Sequence, residues 1–217
     1  MQQPLRIAVL ASGRGSNLAA LIAARDAGTL PVEFVLVASD KASAGALRLA
    51  EAAGIPTLAL NPKDYPDRAS FDRALFARVA ASGAELLVLA GFMRVIDAAV
   101  VAAWQGRAIN IHPSLLPKYP GLHTHRRCLE AGDAEHGASV HYVTAELDGG
   151  PVVAQARIPV GAGDTEASLA ERLLAEEHRL LPAVIGAIAH GRLRWQDGAT
   201  FDGQPLAAPL TLAQLSS

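Results

Sequence analysis

Short apolar runs alternate along this chain with longer stretches of helical period, and that rhythm predicts its elements. Residues 5–12 form a compact apolar run of the kind found in a central parallel strand, and residues 18–27, alanine-rich and free of proline, read as a helix. Residues 33–39 predict a second strand, 44–53 a helix closed by Gly54, and 55–60 a third strand. A helix over residues 67–81 places Phe71, Leu75 and Val79 on one stripe, with Asp67 as its cap and Gly83 at its end. Residues 84–93 carry the strongest buried-strand signal, and Asp97 caps a helix that runs to about Gln105. Another strand ends at His112, and a helix covers residues 123–132. Then the pattern changes. Residues 138–144 and 152–160 alternate with period two and predict a hairpin-like pair. Asp164-Thr-Glu opens a long helix with the stripe Leu169, Leu173, Leu180, Val184 and Ile188. Residues 192–195 and 200–206 predict short strands before a weakly patterned tail. The order implies an α/β fold: a Rossmann-like, mostly parallel twisted sheet, helices on both faces, and an antiparallel strand pair near the C-terminal half. One domain over 1–217 is expected, with about 195–217 as a short appendage.

Composition narrows the function classes. With 217 residues, 51% hydrophobic, the chain is long enough to bury a large core. Its net charge of −2, with no basic cluster larger than Arg126-Arg127, argues against nucleic acid as a partner. Cys128 is the single cysteine, which excludes an internal disulfide and a Cys-based zinc cluster. The opening Met-Gln-Gln-Pro-Leu-Arg lacks the pattern of a secretory leader, and no apolar stretch approaches the roughly 18 residues of a membrane span. A cytoplasmic protein is expected. His123 and His125 are spaced i, i+2, which diverges on a helix, and no further ligand set stands nearby, so no metal is expected. Cys128 reads as a half-buried helix cysteine.

The candidate chemistry lies at strand ends. Ile109 and Ile111 point one way while Asn110 and His112 share the other face, roughly 6.5–7 Å apart. Pro113 restrains the His112 backbone and ends the strand. A neutral amide donor beside a titratable ring suits a site where negative charge develops on oxygen. The strand 5–12 runs straight into Gly13-Arg-Gly-Ser-Asn17 and a helix, an arrangement that aims backbone N–H groups at an anion. Ser16 or Asn17 would serve equally as N-cap of an ordinary turn. Arg68 stands in a helix's first turn, where its charge opposes the dipole; it is either solvated or engaged with another partner. Met93, Arg94, Val95 and Ile96 follow a strand's C-terminal end, where open α/β sheets place ligands. Asp148 stands before Gly-Gly in the connection of the strand pair, which is also an everyday turn signal. Glu177 interrupts an apolar stripe, either at its solvent edge or facing a ligand.

Taken together, Asn110-x-His112-Pro-Ser-Leu-Leu-Pro-Lys-Tyr-Pro-Gly121, Gly13-Arg-Gly-Ser-Asn17 and Glu146-Leu-Asp-Gly-Gly-Pro151 resemble the phosphoribosylglycinamide formyltransferases, folate-dependent enzymes of purine biosynthesis. The resemblance runs from the first strand to about Arg194. It implies transfer of a formyl group from 10-formyltetrahydrofolate to the glycinamide amine of a ribonucleotide, by direct attack through a tetrahedral intermediate. By resemblance Asn110 and His112 bind the oxyanion, and protonated His112 is the general acid. Asp148 supports it, since a nearby carboxylate raises an imidazole pKa and relays protons through water. Gly15, Ser16, Asn17, Leu18 and Ala19 match residues that hold the substrate phosphate, and Glu177 matches a glutamate on the ribonucleotide. Arg68, Met93, Arg94, Val95, Ile96 and Asn110 match positions around the folate, with residues 144–148 in the same cleft wall. The partners implied are two small molecules, with no metal, nucleic acid or membrane, and the oligomeric state is left open between monomer and homodimer.

Rival readings use fewer of these residues. Methionyl-tRNA formyltransferases share Asn-x-His and Asp but carry a further C-terminal domain for which too few residues remain. Formyltetrahydrofolate hydrolases place a regulatory domain ahead of the catalytic one, whereas the first strand here starts at about Leu5. A nicotinamide-dependent oxidoreductase would use Gly13, Gly15 and Asp40, but Leu18 occupies the third fingerprint position, and Asn110, His112 and Asp148 stay idle. A non-catalytic nucleotide-binding module leaves the same three idle.

Overall fold

Apolar side chains alternate between two faces along each central strand, so helices must cover both. In the computed structural model, which describes residues 3–216, strands β1 (Leu5–Leu10), β2 (Val32–Ser39), β3 (Thr57–Ala59), β4 (Leu86–Leu89) and β5 (Ala108–His112) run parallel. β6 (Glu135–Tyr142) pairs antiparallel with β5 and with β7 (Val152–Pro159), giving the order β3-β2-β1-β4-β5-β6-β7. The mostly parallel sheet with an antiparallel pair is as the pattern predicts.

One face buries Ile7, Val9, Val88, Ile109 and Ile111 beneath helices α1 (Ser16–Asp26), α2 (Gly45–Ala52) and α6 (Glu166–Ala189). The stripe residues Leu169, Leu173, Leu180 and Val184 are all fully buried there, each contributing roughly 2 kcal/mol by burial. The other face buries Leu10, Leu87 and Leu89 beneath Phe71, Leu75 and Val79 of α3 (Arg68–Ala81) and Val100 and Val101 of α4 (Ala98–Ala103). Asp67 and Asp97 cap α3 and α4 as expected, accepting from the Ser70 and Ala99 amides. Thr165 opens α6 with a reciprocal capping box to Ser168.

Several boundaries differ from the sequence reading. The run 84–93 yields only β4, because Gly91 turns the chain out of the sheet at φ +78°. The third strand is likewise shorter than the run 55–60. α1 starts at Ser16, with Gly15 rather than Ser16 or Asn17 as its N-cap and no side-chain cap at all. β6 begins at Glu135, earlier than expected, with Gly137 pressed so close to β7 that an added Cβ would stand 2.2 Å from the Ala156 carbonyl oxygen. Cys128, on α5 (Thr124–Ala131), is fully buried rather than half-buried, because its helix packs over that segment and its Sγ donates to the Glu135 carbonyl. The weakly patterned tail docks: Leu210 bonds to β7 and Leu215 of α7 (Leu212–Ser216) is buried, two anchors too few to make a period. Before it, β8 (Leu193–Trp195), β9 (Ala199–Phe201) and β10 (Gln204–Pro205) form a small antiparallel sheet whose Trp195 meets Tyr142 edge-on at 4.8 Å. Met1 and Gln2, in the opening stretch expected to carry no secretory leader, lie outside the described residues. No helix among the described residues is long and apolar enough to cross a membrane.

Candidate active site

β5 carries Asn110 and His112 toward α3 and α4, while Ile109 and Ile111 enter the opposite core. The proline-rich loop that follows is anchored from beneath. Ser139 on β6 donates through Oγ to the Ser114 carbonyl at 2.7 Å and accepts from the Leu116 amide, and Gln155 donates to the Leu116 carbonyl. This loop delivers the Tyr119 carbonyl to His112 Nε2 at 2.9 Å. Since a carbonyl only accepts, Nε2 carries a proton and donates.

The connection after β6 returns Asp148 to the same point. Its backbone is left-handed at φ +50°, and Gly150 behind it lies so near the Tyr142 carbonyl oxygen, 1.8 Å from a built Cβ, that no side chain fits. Asp148 Oδ2 accepts from the Gly121 amide at 2.8 Å and stands 3.5 Å from His112 Nδ1. Oδ1 lies 3.5 Å from Asn110 Nδ2 and 3.6 Å from His141 Nε2. His141 donates from Nδ1 to the Tyr142 carbonyl, so the neutral ring presents an Nε2 lone pair to Asn110 Nδ2 at 3.0 Å. Asn110, His112, His141 and Asp148 thus form one cluster, with the two imidazoles buried and Asn110 and Asp148 half-buried.

Its electrostatics differ from the expectation at one residue. Burial holds the His112 pKa below the ordinary imidazole value, outweighing the upward pull of the Tyr119 carbonyl and Asp148. The carboxylate acts in the expected direction but does not win, because His112 is only 6% exposed. The Asp148 pKa is lowered: burial acts upward, but the His141 contact, the Gly121 amide and the two imidazoles together outweigh it. Asp148 therefore rests as a carboxylate at pH 7 beside a neutral His112, rather than beside the imidazolium expected by resemblance.

The glycine loop lies two strands away at the end of β1. Gly15 takes φ +85°, and a Cβ there would stand 2.7 Å from the Ala46 Cα, so the turn onto α2 requires glycine. The amides of Ser16, Asn17 and Leu18 precede any carbonyl four residues back within α1, whereas the Ala19 amide is already bonded to the Gly15 carbonyl. The Leu18 side chain is fully buried, leaving its amide as its polar group. Asn17 Nδ2 donates to Glu177 Oε2 at 2.8 Å and ties α1 to α6. Glu177 is therefore not at a solvent edge; it is 8% exposed, and burial raises its pKa against the Asn17 bond. The Asn17 Oδ1 is sealed without a partner.

Beside Asn110, His141 and Asp148 opens a cleft enclosing about 500 Å³ of empty space, part of it open to solvent, whose lining includes neither His112 nor the glycine loop. Arg94, Val95 and Ile96 line it together with Thr144, Asn110 and Asp148. Met93 donates its amide to Ser12 Oγ at 3.0 Å, which joins this wall to the glycine loop, but its side chain is 64% exposed and outside the lining. Arg68 is exposed at the start of α3 and is also outside the lining. Among the described residues no group of three or more His, Cys, Asp or Glu is placed to hold a metal. His125 instead bonds His136 through Nδ1 and Nε2 at 3.0 Å.

The formyl transferase family model matches residues 5–185. The phosphoribosylglycinamide formyltransferase of Escherichia coli strain K12 is 48% identical over 203 residues, covering 93% of this chain and 96% of that protein. The chain belongs to the phosphoribosylglycinamide formyltransferase family. The human trifunctional purine biosynthetic protein adenosine-3 is 40% identical over 189 residues, which are 87% of this chain and 19% of that longer protein. The solved phosphoribosylglycinamide formyltransferase of Coxiella burnetii superposes with a TM-score of 0.92 at 45% identity, over 96% of this chain and 99% of that one.

For a member of this family, sequence reasoning left out His141, the Tyr119 carbonyl and the Gly121 amide. A signal for His141 was present. Ser139 and His141 are polar beats in an apolar alternation with the same i, i+2 spacing as Asn110 and His112, and the β5–β6 register sets them opposite His112 and Asn110 respectively. No local pattern marks the two backbone groups.

Proposed function

We propose that this chain transfers the formyl group of 10-formyltetrahydrofolate to the glycinamide amine of phosphoribosylglycinamide. The observation that carries this reading is the meeting of Asn110, His112, His141 and Asp148 in one cluster, three of which, Asn110, His141 and Asp148, line the cleft. The amine attacks the formyl carbon, the carbonyl oxygen becomes an oxyanion, and the nitrogen carries an extra proton. Asn110 Nδ2 turns toward that oxyanion by giving up its long 3.5 Å contact with Asp148 while keeping the short one to His141. One proton then moves from the attacking nitrogen to N10 of the folate, the C–N10 bond breaks and the carbonyl re-forms. His112, neutral at rest, carries that proton, and Asp148 stabilises the imidazolium while it lasts. Ser16, Asn17 and Leu18 donate amides to the substrate phosphate around Gly15, with Ala19 in van der Waals contact. Glu177, held by Asn17, faces the ribonucleotide. Arg94, Val95 and Ile96, which line the cleft, form the folate wall, and in this reading Met93 and Arg68, outside that lining, approach the folate from beyond it. No metal takes part. In this reading the chain works as one domain over 1–217, in the cytoplasm, on small-molecule substrates.

The test supplies purified protein with 10-formyltetrahydrofolate and either phosphoribosylglycinamide or charged initiator tRNA, without metal or nucleotide triphosphate. Formylation of the ribonucleotide alone is expected. Formylation of the tRNA, or turnover only with NADH, overturns the reading.

A further inference from the structure

The cleft wall at Arg94 rests on a carboxylate that the proposed chemistry does not use. Asp72 lies on α3 one turn beyond Arg68 and is fully buried, an uncommon position for an acid. Its Oδ2 accepts from the Asp97 amide at 2.8 Å, which pins the far end of the turn 93–97. Its Oδ1 is sealed and has no partner. In the same turn the Arg94 guanidinium lies over the Phe71 ring, 4.7 Å from its centroid, and Arg94 Nε is likewise sealed and has no partner. A buried acceptor on α3 and a buried donor on the wall above it are therefore both left over. Isolated orphans of this kind are strongly disfavoured, and complementary ones carried by opposite charges attract.

We propose that Asp72 is the positioning residue of the folate-side wall, holding Asp97 through one oxygen and drawing the Arg94 guanidinium inward with the other. It touches no substrate. Phe71, the residue before Asp72, supports the guanidinium by its ring, so one short stretch of α3 supplies both the stacking surface and the countercharge. Arg68, four residues earlier on the same helix, adds a second positive charge that favours the ionised form of Asp72. Burial works against ionisation of Asp72, while the Asp97 amide, Arg94 and Arg68 favour it.

The proposal rests on the formyl-transfer reading only for its kinetic consequence. Asp72→Ala removes both oxygens, whereas Asp72→Asn keeps an acceptor for the Asp97 amide and loses the charge. We expect Asp72→Ala to raise KM for 10-formyltetrahydrofolate about tenfold, with KM for the ribonucleotide within about twofold and kcat within about threefold. Asp72→Asn and Arg94→Lys should each raise the donor KM by about threefold. Independently of any substrate, hydrogen exchange should accelerate in residues 93–97 of Asp72→Ala and much less in Asp72→Asn. Equal rises in both KM values, or faster exchange throughout the chain, would make Asp72 merely structural and overturn the proposal, as would unchanged values in all variants. If the wild-type protein transfers no formyl group, the functional reading fails, and the exchange pattern in 93–97 alone upholds or overturns the role of Asp72.

Discussion

At the scale of single residues, the site turns on how His112 is held. The ring donates from Nε2 to the Tyr119 carbonyl and presents Nδ1 to Asp148 at 3.5 Å, a setting that favours a proton on both nitrogens. Burial opposes it and prevails. Asp148→Asn removes one upward pull, so the His112 pKa falls further. The sign follows: a group that must be neutral loses function as pH drops through its pKa, so the acid limb of kcat/KM should shift to lower pH. Turnover should fall by about 10²–10⁴ because the imidazolium formed in the transition state loses its countercharge. A variant with the wild-type rate and profile would leave Asp148 as a turn residue. Asn110 and His112 were legible from alternation and Pro113, whereas His141 was not singled out, because a histidine in an apolar strand gains meaning only from the residue across from it.

At the scale of elements, the first turn of α1 is held by backbone conformation and by a close neighbour at once. Gly15 combines φ +85° with a backbone neighbour, Ala46 Cα, 2.7 Å from a built Cβ. Gly15→Ala therefore costs about 1–2 kcal/mol for the left-handed backbone, plus whatever displacement of α2 it forces. Thermal unfolding should report the loss, and KM for the ribonucleotide should rise while KM for the folate stays put. A rise in the folate value instead would assign this turn to the other ligand. Strand, glycine turn and helix were visible in the sequence, as were the caps Asp67 and Asp97. The choice of Gly15 as N-cap was not, since Ser16 and Asn17 are the better capping side chains and only the approach of α2 decides among them.

At the scale of the whole molecule, buried histidines couple stability to pH. His136 is 1% exposed and bonded to His125, and burial together with its partner lowers its pKa from 6.5 to about 4. Asp133 acts upward on it and His112 downward, with burial the largest influence. A folded pKa below the unfolded value means that the unfolded chain binds the extra proton first. Stability is then full above about 6.5 and drains as pH falls toward about 4. Denaturant unfolding should show a loss on the order of 2 kcal/mol from this group between pH 7 and pH 5. His136→Gln, whatever its stability at pH 7, should flatten that slope; an unchanged slope would assign the acid sensitivity elsewhere. The fold class was legible because both hydrophobic periods recur along the chain. The docking of residues 206–216 was not, because two isolated leucines make no period.

Local backbone geometry is what a sequence carries on its own. Periods of two and 3.6 determined which runs become strands and helices, that Asn110 and His112 share a face, and that glycine follows the first strand. Tertiary structure decided the rest. It set Asp148 3.5 Å from His112 across a 36-residue separation, brought Asn17 of α1 to Glu177 of α6, and paired His141 with Asn110 through strand register. It also reversed the expected direction of the His112 pKa. Desolvation depends on every chain segment that packs around a group, and no stretch of sequence contains that sum.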